Sequence, residues 1–482
     1  MPDAGGDGAA NNCVATGWDQ LALDGTIWSI DHHVPALGQF AGIVKFSGSG
    51  SSLMTTYNGS QVAATTQSSS TLSWTRNGVP NTRITKRVFT ACTLPSANEV
   101  LGNLTACDAA GANCKQGTFR MIRLERRPGE GEKSDNITKL AEYQGPSWQS
   151  ITANVRVDAA RQLAVMARYD DGLYILSLNP GPPYTITEVG HHAVEDAGMA
   201  SSFEIYNDVK LIDANGKHYA LMASSTHGVV VFDITDPTTP AIKAHMRDGE
   251  NVHTHFIVGT TVYVADIDLG GIYIFDITNP ESPIEKSSFV YQQPNPPPNP
   301  PIDDLSGVFV HDLFVEPGRA YLSYWGAGLV IVDVTNSTAP IQRGEFTYNR
   351  MSDHSVWAGT INGRRVALIG DEDFSAHGRE LDVTDPAHPT LIGEYGQDRP
   401  QVSIHNIMID GDKAYVAWYM DGLRILQLSP TAAPTLIGYF NTWSPGPNSG
   451  YSFYESAIGL DKIGDIVYLA EEDRGLIVLQ VP

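Results

Sequence analysis

Four histidines occur at one position of a repeated pattern, each at the start of a strand-like segment. They are His253 in NVHTHFIV, His311 in FVHDLFV, His354 in SDHSVWA and His405 in SIHNIMI. Imidazole is a favoured ligand of Fe(II), Zn(II) and Cu(II). If the fold gathers these side chains around one axis, they form a site for such a transition metal. The alternative is that the repeats inherit the histidine from a common ancestor, and that each imidazole only hydrogen-bonds the backbone of a neighbouring unit.

Other residues of the same units could support that site. His255 lies two residues beyond His253 and is predicted to share its face, and the equivalent register in a further unit falls approximately at Glu455. Acidic segments follow the second strands, among them Asp371 and Glu372. Such carboxylates orient imidazoles or bind calcium directly, although a solvated acidic rim would look the same in sequence. The long segments that precede inner strands add three further pocket candidates: His192, Glu204 and Trp443.

The elements that must position these residues belong to a repeat with seven copies. Its apolar strand begins with glycine and is clearest in GLVIVDVTN from Gly328; the other copies begin at Gly172, Gly228, Gly271, Gly378, Gly422 and Gly475. In the clearest unit, four strands (TLIGEY, SIHNIMID, KAYVAWY and GLRILQL) occupy about 45 residues, which is typical of a propeller blade. Continuous apolar runs such as VVVF, IYIF and LVIV indicate strands that are buried on both faces.

Residues 329–333 read LVIVD, and the preceding glycine and the following T-N or T-D-P recur along the chain. The region 137–482 therefore resembles the LVIVD-repeat family of bacterial proteins. The resemblance implies an exported seven-bladed β-propeller; it implies no particular activity.

The domain organisation follows from the repeat and from the segments before it. We predict an all-β protein in which a tether (1–19), a small antiparallel β barrel or sandwich (20–127) and a linker (128–136) precede the propeller. The strand at 137–143, ITKLAEY, resembles TLIGEY, whereas the last unit stops at Pro482 without an outer strand. The first strand is therefore predicted to complete the last blade and to close the ring, which removes exposed sheet edges.

All four cysteines lie in the first quarter of the chain: Cys13, Cys92, Cys107 and Cys114. An even number without a C-x-x-C pair predicts two disulfides in an oxidising compartment, with three possible pairings. The start, MPDAGGDGAANN, has neither the basic nor the apolar region of a signal peptide. It is similar to the linker after the lipidated cysteine of bacterial surface lipoproteins, so we expect an exported or cell-surface protein whose export signal is absent from this sequence.

Composition excludes several classes of partner. A net charge of −23 would repel phosphate backbones, which excludes nucleic acid and anionic membrane surfaces.

No apolar run reaches the roughly 18 residues of a transmembrane helix. No G-x-S-x-G, P-loop, Rossmann glycine pattern or H-E-x-x-H appears, so hydrolase, kinase and dehydrogenase motifs are missing.

Two functions remain open at this stage. The first is a histidine-lined metal site at one mouth of the channel, which in an enzyme would act on a small molecule as a metal-dependent oxidoreductase, hydrolase or lyase. The second is a non-catalytic surface module that binds a polysaccharide or a protein, with no metal or with structural calcium. A monomer is expected in either case.

Overall fold

The structure is a computed structural model of the chain. It describes residues 13, 17–35, 38–77, 86–108, 110–127, 130, 137–145, 151–193, 204–292, 308–348, 352–372, 377–396, 399, 401–446, 449–452 and 454–482. The predicted tether and linker lie almost wholly outside these residues. The chain forms two compact units: one contains the described residues of the first 128 positions together with Ser444–Glu455, and the other contains the rest.

The first unit is one curled antiparallel sheet of nine strands in the order β4-β3-β2-β1-β9-β8-β7-β6-β5. Its strands are β1 (Ile27–Val34), β2 (Gly38–Ser47), β3 (Met54–Tyr57), β4 (Ser60–Gln61), β5 (Ala64–Gln67), β6 (Leu72–Asn77), β7 (Lys86–Ser96), β8 (Glu99–Cys107) and β9 (Lys115–Arg123). Two short 3-10 turns accompany them, Trp18–Gln20 and Gly50–Ser52. The Thr65 hydroxyl on β5 donates to that of Thr55 on β3 at 2.8 Å. The sheet therefore curls until strands from its two ends meet, as a half-barrel.

The interior of this half-barrel is aromatic. Trp74 and Phe89 stack with ring centroids 5.2 Å apart, and Trp28 and Phe46 are fully buried. Two disulfides, Cys13–Cys92 and Cys107–Cys114, resolve the pairing that the sequence left open. The predicted small disulfide-bearing β fold is confirmed, in the barrel-like form.

The second unit is a seven-bladed propeller of four-stranded antiparallel sheets. Blade 1 is β11 (Thr152–Asp158), β12 (Leu163–Arg168), β13 (Gly172–Asn179) and β14 (Thr185–His192). Blade 2 is β15 (Tyr206–Ala214), β16 (Lys217–Ser224), β17 (Gly228–Asp233) and β18 (Ala241–Met246). Blade 3 is β19 (Val252–Val258), β20 (Thr261–Asp266), β21 (Gly271–Asp276) and β22 (Ile284–Val290).

The remaining blades repeat this order. Blade 4 is β23 (Phe309–Glu316), β24 (Arg319–Trp325), β25 (Gly328–Asp333) and β26 (Ile341–Phe346). Blade 5 is β27 (Asp353–Ile361), β28 (Arg364–Asp371), β29 (Gly378–Asp382) and β30 (Thr390–Tyr395). Blade 6 is β31 (Ile407–Asp410), β32 (Lys413–Ala417), β33 (Leu423–Ser429) and β34 (Ala432–Phe440). Blade 7 is β35 (Ala457–Ile463), β36 (Ile466–Glu471), β37 (Gly475–Gln480) and, as its outer strand, β10 (Thr138–Tyr143).

The glycine-led repeat is the third strand of each blade. In β25 every residue from Gly328 to Val332 is buried, because neighbouring blades cover both faces of the sheet. The aspartate that ends the strand accepts the backbone N–H two residues later, as Asp333 does from Thr335 at 2.9 Å. The repeat thus encodes one buried strand and its closing turn. Within the described residues no helix is long and apolar enough to cross a membrane.

Candidate functional site

A β-bulge gives the innermost strand of each blade a distinct residue near its start. In six blades one residue is skipped in the pairing with the second strand: Ala153, Asn207, His253, His311, His354 and Ile458. In blade 6, His405 and Asn406 both bond to Ala417, which gives the same arrangement of two residues opposite one. A bulge re-aims the side chain of the extra residue.

In blades 3 to 6 the bulged residue is histidine, and the structure brings the four imidazoles together. Ring centroids are 3.9 Å apart for His253 and His311, 4.1 Å for His311 and His354, and 4.1 Å for His354 and His405. Burial lowers the pKa of His253 to about 4 and of His405 to about 3, and lowers the pKa of the two middle imidazoles well below the ordinary value. The rings are therefore neutral at pH 7, the state in which imidazole binds metal.

Two of these rings are oriented by the next blade. His253 donates from Nδ1 to the carbonyl oxygen of His311 at 3.1 Å, and His405 donates from Nδ1 to that of Ile458 at 2.6 Å. Both acceptors are the bulged residues of the following blade. This is the inter-blade hydrogen bond expected from simple inheritance of the repeat. It also fixes the tautomer that leaves the Nε2 lone pair free, as in many histidine ligands of metals.

The Nε2 atoms face one carboxylate, that of Glu372, which follows the second strand of blade 5. The Glu372 oxygens lie 3.4 Å from Nε2 of His354, 4.0 Å from that of His311 and 3.9 Å from that of His405. Ligand atoms held 2.0–2.1 Å from a tetrahedral ion are about 3.3 Å apart. The separations are thus close to those of a coordination sphere. His311, His354 and Glu372 each offer an atom within 4.8 Å of the others.

Glu372 is held in place by residues around it. The buried phenol of Tyr419 donates a short hydrogen bond to its carboxylate, and the Tyr419 ring lies 5.0 Å from that of His405. Tyr419 has φ +29°, a backbone conformation that non-glycine residues rarely adopt and that is often found at functional sites. The preceding Asp371 accepts from Arg379 at 2.6 Å and from the Tyr348 hydroxyl. Asp371 therefore anchors the strand end that presents Glu372.

A cavity of about 70 Å³ lies in the central channel, with His253, His354 and His405 in its wall. Its other walls carry buried charges that the sequence analysis missed. Asp208 accepts from Asn154 at 2.7 Å and from the Thr254 hydroxyl at 2.6 Å, and is paired with Lys210. Burial acts to raise the pKa of Asp208, but the charge and hydrogen bond of Lys210 together with the charge of Arg156 and the ring of His255 outweigh it and hold that pKa well below the ordinary value. The cavity is polar along this wall.

Two predicted positions are wrong. The bulge at His253 shifts the alternation by one residue, so Thr254 and Phe256 line the cavity, whereas His255 does not. His255 is 0% exposed, and burial lowers its pKa to about 3. In the last blade the bulged residue is Ile458, three residues beyond the predicted Glu455. Glu455 belongs to the first unit, where it accepts the Gly450 N–H at 2.9 Å.

The other pocket candidates lie apart from the imidazole cluster. Glu204 is buried in blade 2 and accepts from the Ser224 hydroxyl. His192 ends the outer strand of blade 1 and packs its ring against Phe232, with centroids 5.0 Å apart. Trp443 is buried, and its backbone N–H donates to the side-chain oxygen of Asn441 at 3.0 Å. Most of the loop 190–204 and of the loop 292–307 falls outside the described residues.

Comparisons with known proteins identify a repeat family and several solved structures that are similar to this chain. A family model described as "LVIVD repeat" matches residues 209–248, 256–290, 310–347 and 403–442. No curated protein matches the sequence. Among solved structures, the β-propeller domain of Myceliophteria thermophila Cps50 (Swd1) is 14% identical with a TM-score of 0.48. The alignment covers 72% of this chain and 100% of that domain. A catalytically inactive virginiamycin B lyase from Staphylococcus aureus, solved with quinupristin, is 11% identical with a TM-score of 0.49, over 71% and 99% of the two chains.

Proposed function

Because this chain is an LVIVD-repeat β-propeller protein in which four inner strands bring imidazoles to one carboxylate, we propose that it holds a transition metal ion in its central channel. The ligands are His311, His354, His405 and Glu372. The convergence of three Nε2 atoms on the Glu372 carboxylate, at 3.4–4.0 Å, carries the proposal. His253 completes the ring of imidazoles beside His311.

The donor set favours iron, zinc or copper over calcium. Calcium takes six to eight oxygen ligands, whereas this cluster offers mainly imidazole nitrogen, which suits borderline transition metals. The hydrogen bond from Nδ1 of His405 and the one from Tyr419 to Glu372 supply outer support of the kind that metal ligands usually have.

The ligand of this centre is a small molecule. The cavity beside the centre, of about 70 Å³, is bounded by imidazoles such as His354 and by the buried charges of Asp208 and Lys210. An ion at its edge would polarise a small polar substrate or act on an oxygen species. Because the donor set suits a transition metal ion, we favour a metal-dependent enzyme over a saccharide-binding module.

We place the protein outside the cytoplasm. Two disulfides, Cys13–Cys92 and Cys107–Cys114, support an oxidising compartment. The family resemblance points the same way, because it implies export.

Elemental analysis of tag-free protein tests the metal centre. We expect about one tightly held transition metal ion for each chain, reduced to less than roughly a tenth in the double variant His311→Ala/His405→Ala. A double variant of surface histidines, His218→Ala/His388→Ala, removes the same number of imidazoles and should keep the ion. If the metal content is the same in both double variants, the centre does not exist and the non-catalytic binding module becomes the better account.

A further inference from the structure

A second cluster of histidines lies on blade 2, at a position where other blades carry a pair of unlike groups. The residue before the glycine of the third strand faces the outer strand of the same blade. In blade 7, Arg474 pairs with Glu142 at 2.6 Å, and in blade 5, His377 faces Glu394 at 3.2 Å. In both blades a basic side chain faces an acidic one across the strands, a common way to stabilise adjacent strands.

Blade 2 departs from this pattern by placing two imidazoles at the position. His227 precedes Gly228, and His245 lies on the outer strand opposite Val230, which is the register of Glu142 in blade 7. The two rings are 5.6 Å apart, centroid to centroid. Asp248 joins them: its Oδ1 is 2.9 Å from Nδ1 of His227, and one donor atom from each of the three residues lies within 4.8 Å of the others.

The backbone around the cluster is tied down on both sides. Gly249 donates its N–H to the Thr226 carbonyl at 3.1 Å, and Gly228 donates to the Glu250 carbonyl at 3.1 Å. The turn with His227 is thereby fixed to the turn with Asp248. The N–H of His227 itself bonds to the Ser224 hydroxyl at 2.8 Å. Such a site needs little ordering when it binds an ion.

The charges around the cluster favour a cation. Glu204 is buried next to this turn and bonded to the Ser224 hydroxyl. Burial raises the pKa of its carboxyl, and the smaller electrostatic interaction with His227 acts in the opposite direction. Arg247, a cation in the same turn as Asp248, is engaged by Asp266 at 3.1 Å and by Glu250 at 3.4 Å. The net charge of −23 adds to the attraction.

We propose that His227, His245 and Asp248 form a second metal site, for a borderline divalent ion such as Zn²⁺. The 2.9 Å between Nδ1 and Oδ1 is a hydrogen bond, and an ion would have to replace its proton and move the two atoms apart to the roughly 3.3 Å of adjacent tetrahedral ligands. Because Asp248 is solvent-exposed, water completes the coordination and the ion exchanges with solvent. This site is independent of the channel centre.

Zinc titration in a background without the channel ligands isolates this site. In protein carrying His311→Ala/His405→Ala, calorimetry should show one Zn²⁺ bound for each chain. Adding His227→Ala/His245→Ala should weaken that binding at least 10-fold. The matched control is His218→Ala, which removes an imidazole that also faces an aspartate, Asp213 at 2.6 Å, but has no second imidazole in the pair. The control should leave zinc binding unchanged.

A second readout guards against misfolding. An ion that binds only the folded state raises the melting temperature, so Zn²⁺ should stabilise the background protein and the His218→Ala control but not the His227→Ala/His245→Ala variant. Equal zinc affinity in all three proteins would overturn the proposal, as would equal stabilisation. The zinc titration and the melting temperatures are both measured in protein that already lacks the channel ligands. The proposal for the channel centre and the proposal for this second site can therefore fail independently of each other.

Discussion

The ring of blades has two arcs that share one backbone feature and differ in what they do with it. The innermost strand of every blade has a β-bulge near its start, where two of its residues lie opposite one residue of the second strand. Only blades 3 to 6 place a histidine at the bulge. Blades 1, 2 and 7 place Ala153, Asn207 and Ile458 there. The bulge therefore belongs to the architecture, and the chemistry is added by residue type. Because the imidazoles occupy only one arc, any ion they hold lies towards one side of the channel.

Removing the imidazole of His354 should have the largest effect on metal binding by the histidine arc. His354 is 1% exposed, and its ring centroid lies 4.1 Å from those of two other imidazoles. Among the histidines it makes the shortest contact to Glu372. We expect His354→Ala to weaken metal binding by roughly 100-fold or more, because loss of a ligand costs at least as much as loss of its outer support. Competition against a chelator measures this change. Retention of wild-type affinity would show that the ring does not coordinate.

A second comparison is between third strands of the same arc. Blade 5 places Glu380 where blade 4 has Val330, and Glu380 is 0% exposed. Burial raises its pKa to about 8 against a weaker opposing hydrogen bond from the Ser429 backbone. Between the ordinary value near 4.5 and about 8, the unfolded chain has lost this proton while the folded chain keeps it. Stability should therefore fall as pH rises through this window, by up to roughly 1.4 kcal/mol for each pH unit.

Glu380→Gln should flatten that slope, since an amide does not titrate. Denaturant melts of the wild type and the variant at pH 5, 6, 7 and 8 provide the test. Parallel curves for the two proteins would mean that Glu380 is ionised in the fold.

A smaller effect is expected from the residue that supports Glu372. Tyr419→Phe removes the phenol that donates to the carboxylate but keeps the ring beside His405. We expect metal affinity to fall about 10-fold. Chelator competition and a thermal melt of the metal-free protein separate the two roles. A lower melting temperature with unchanged affinity would make Tyr419 a packing residue only.

The smallest effect should come from the arc without histidine. Asn207→Ala changes the bulged residue of blade 2 and should alter metal affinity by less than about 2-fold, because this side chain is outside the ligand set. The same chelator competition applies. An effect as large as that of His354→Ala would extend the centre across the channel and erase the difference between the two arcs.

The sequence predicts the fold well because the repeat records both the buried strand and its turn. The shared register of the four histidines was readable for the same reason: each precedes a recognisable second strand at a constant distance. Bulges were not readable, since no residue type marks them, and the error at His255 follows from the period-2 alternation they interrupt. Glu455 was misplaced because a long segment before β35 obscures where the strand begins.

Other site residues had weaker signals. Glu372 was one of several acidic residues after second strands, and only the structure separates it from Asp371, which is bonded to Arg379. Tyr419 was missed because it sits in a turn without a motif. Asp208 and Lys210 could have been found, since charged residues in an innermost strand must be paired or face a channel.

The strand Thr138–Tyr143 pairs with Gly475–Gln480, so the last blade is assembled from the two ends of the propeller sequence. Pairing of residues this far apart in the sequence slows folding, because a long loop must close before the strands can meet. His405 takes its orientation from Ile458 of that same blade. The sheet that closes the circle therefore also orients one of the four imidazoles, so a change that prevents closure of the ring should disturb His405 as well.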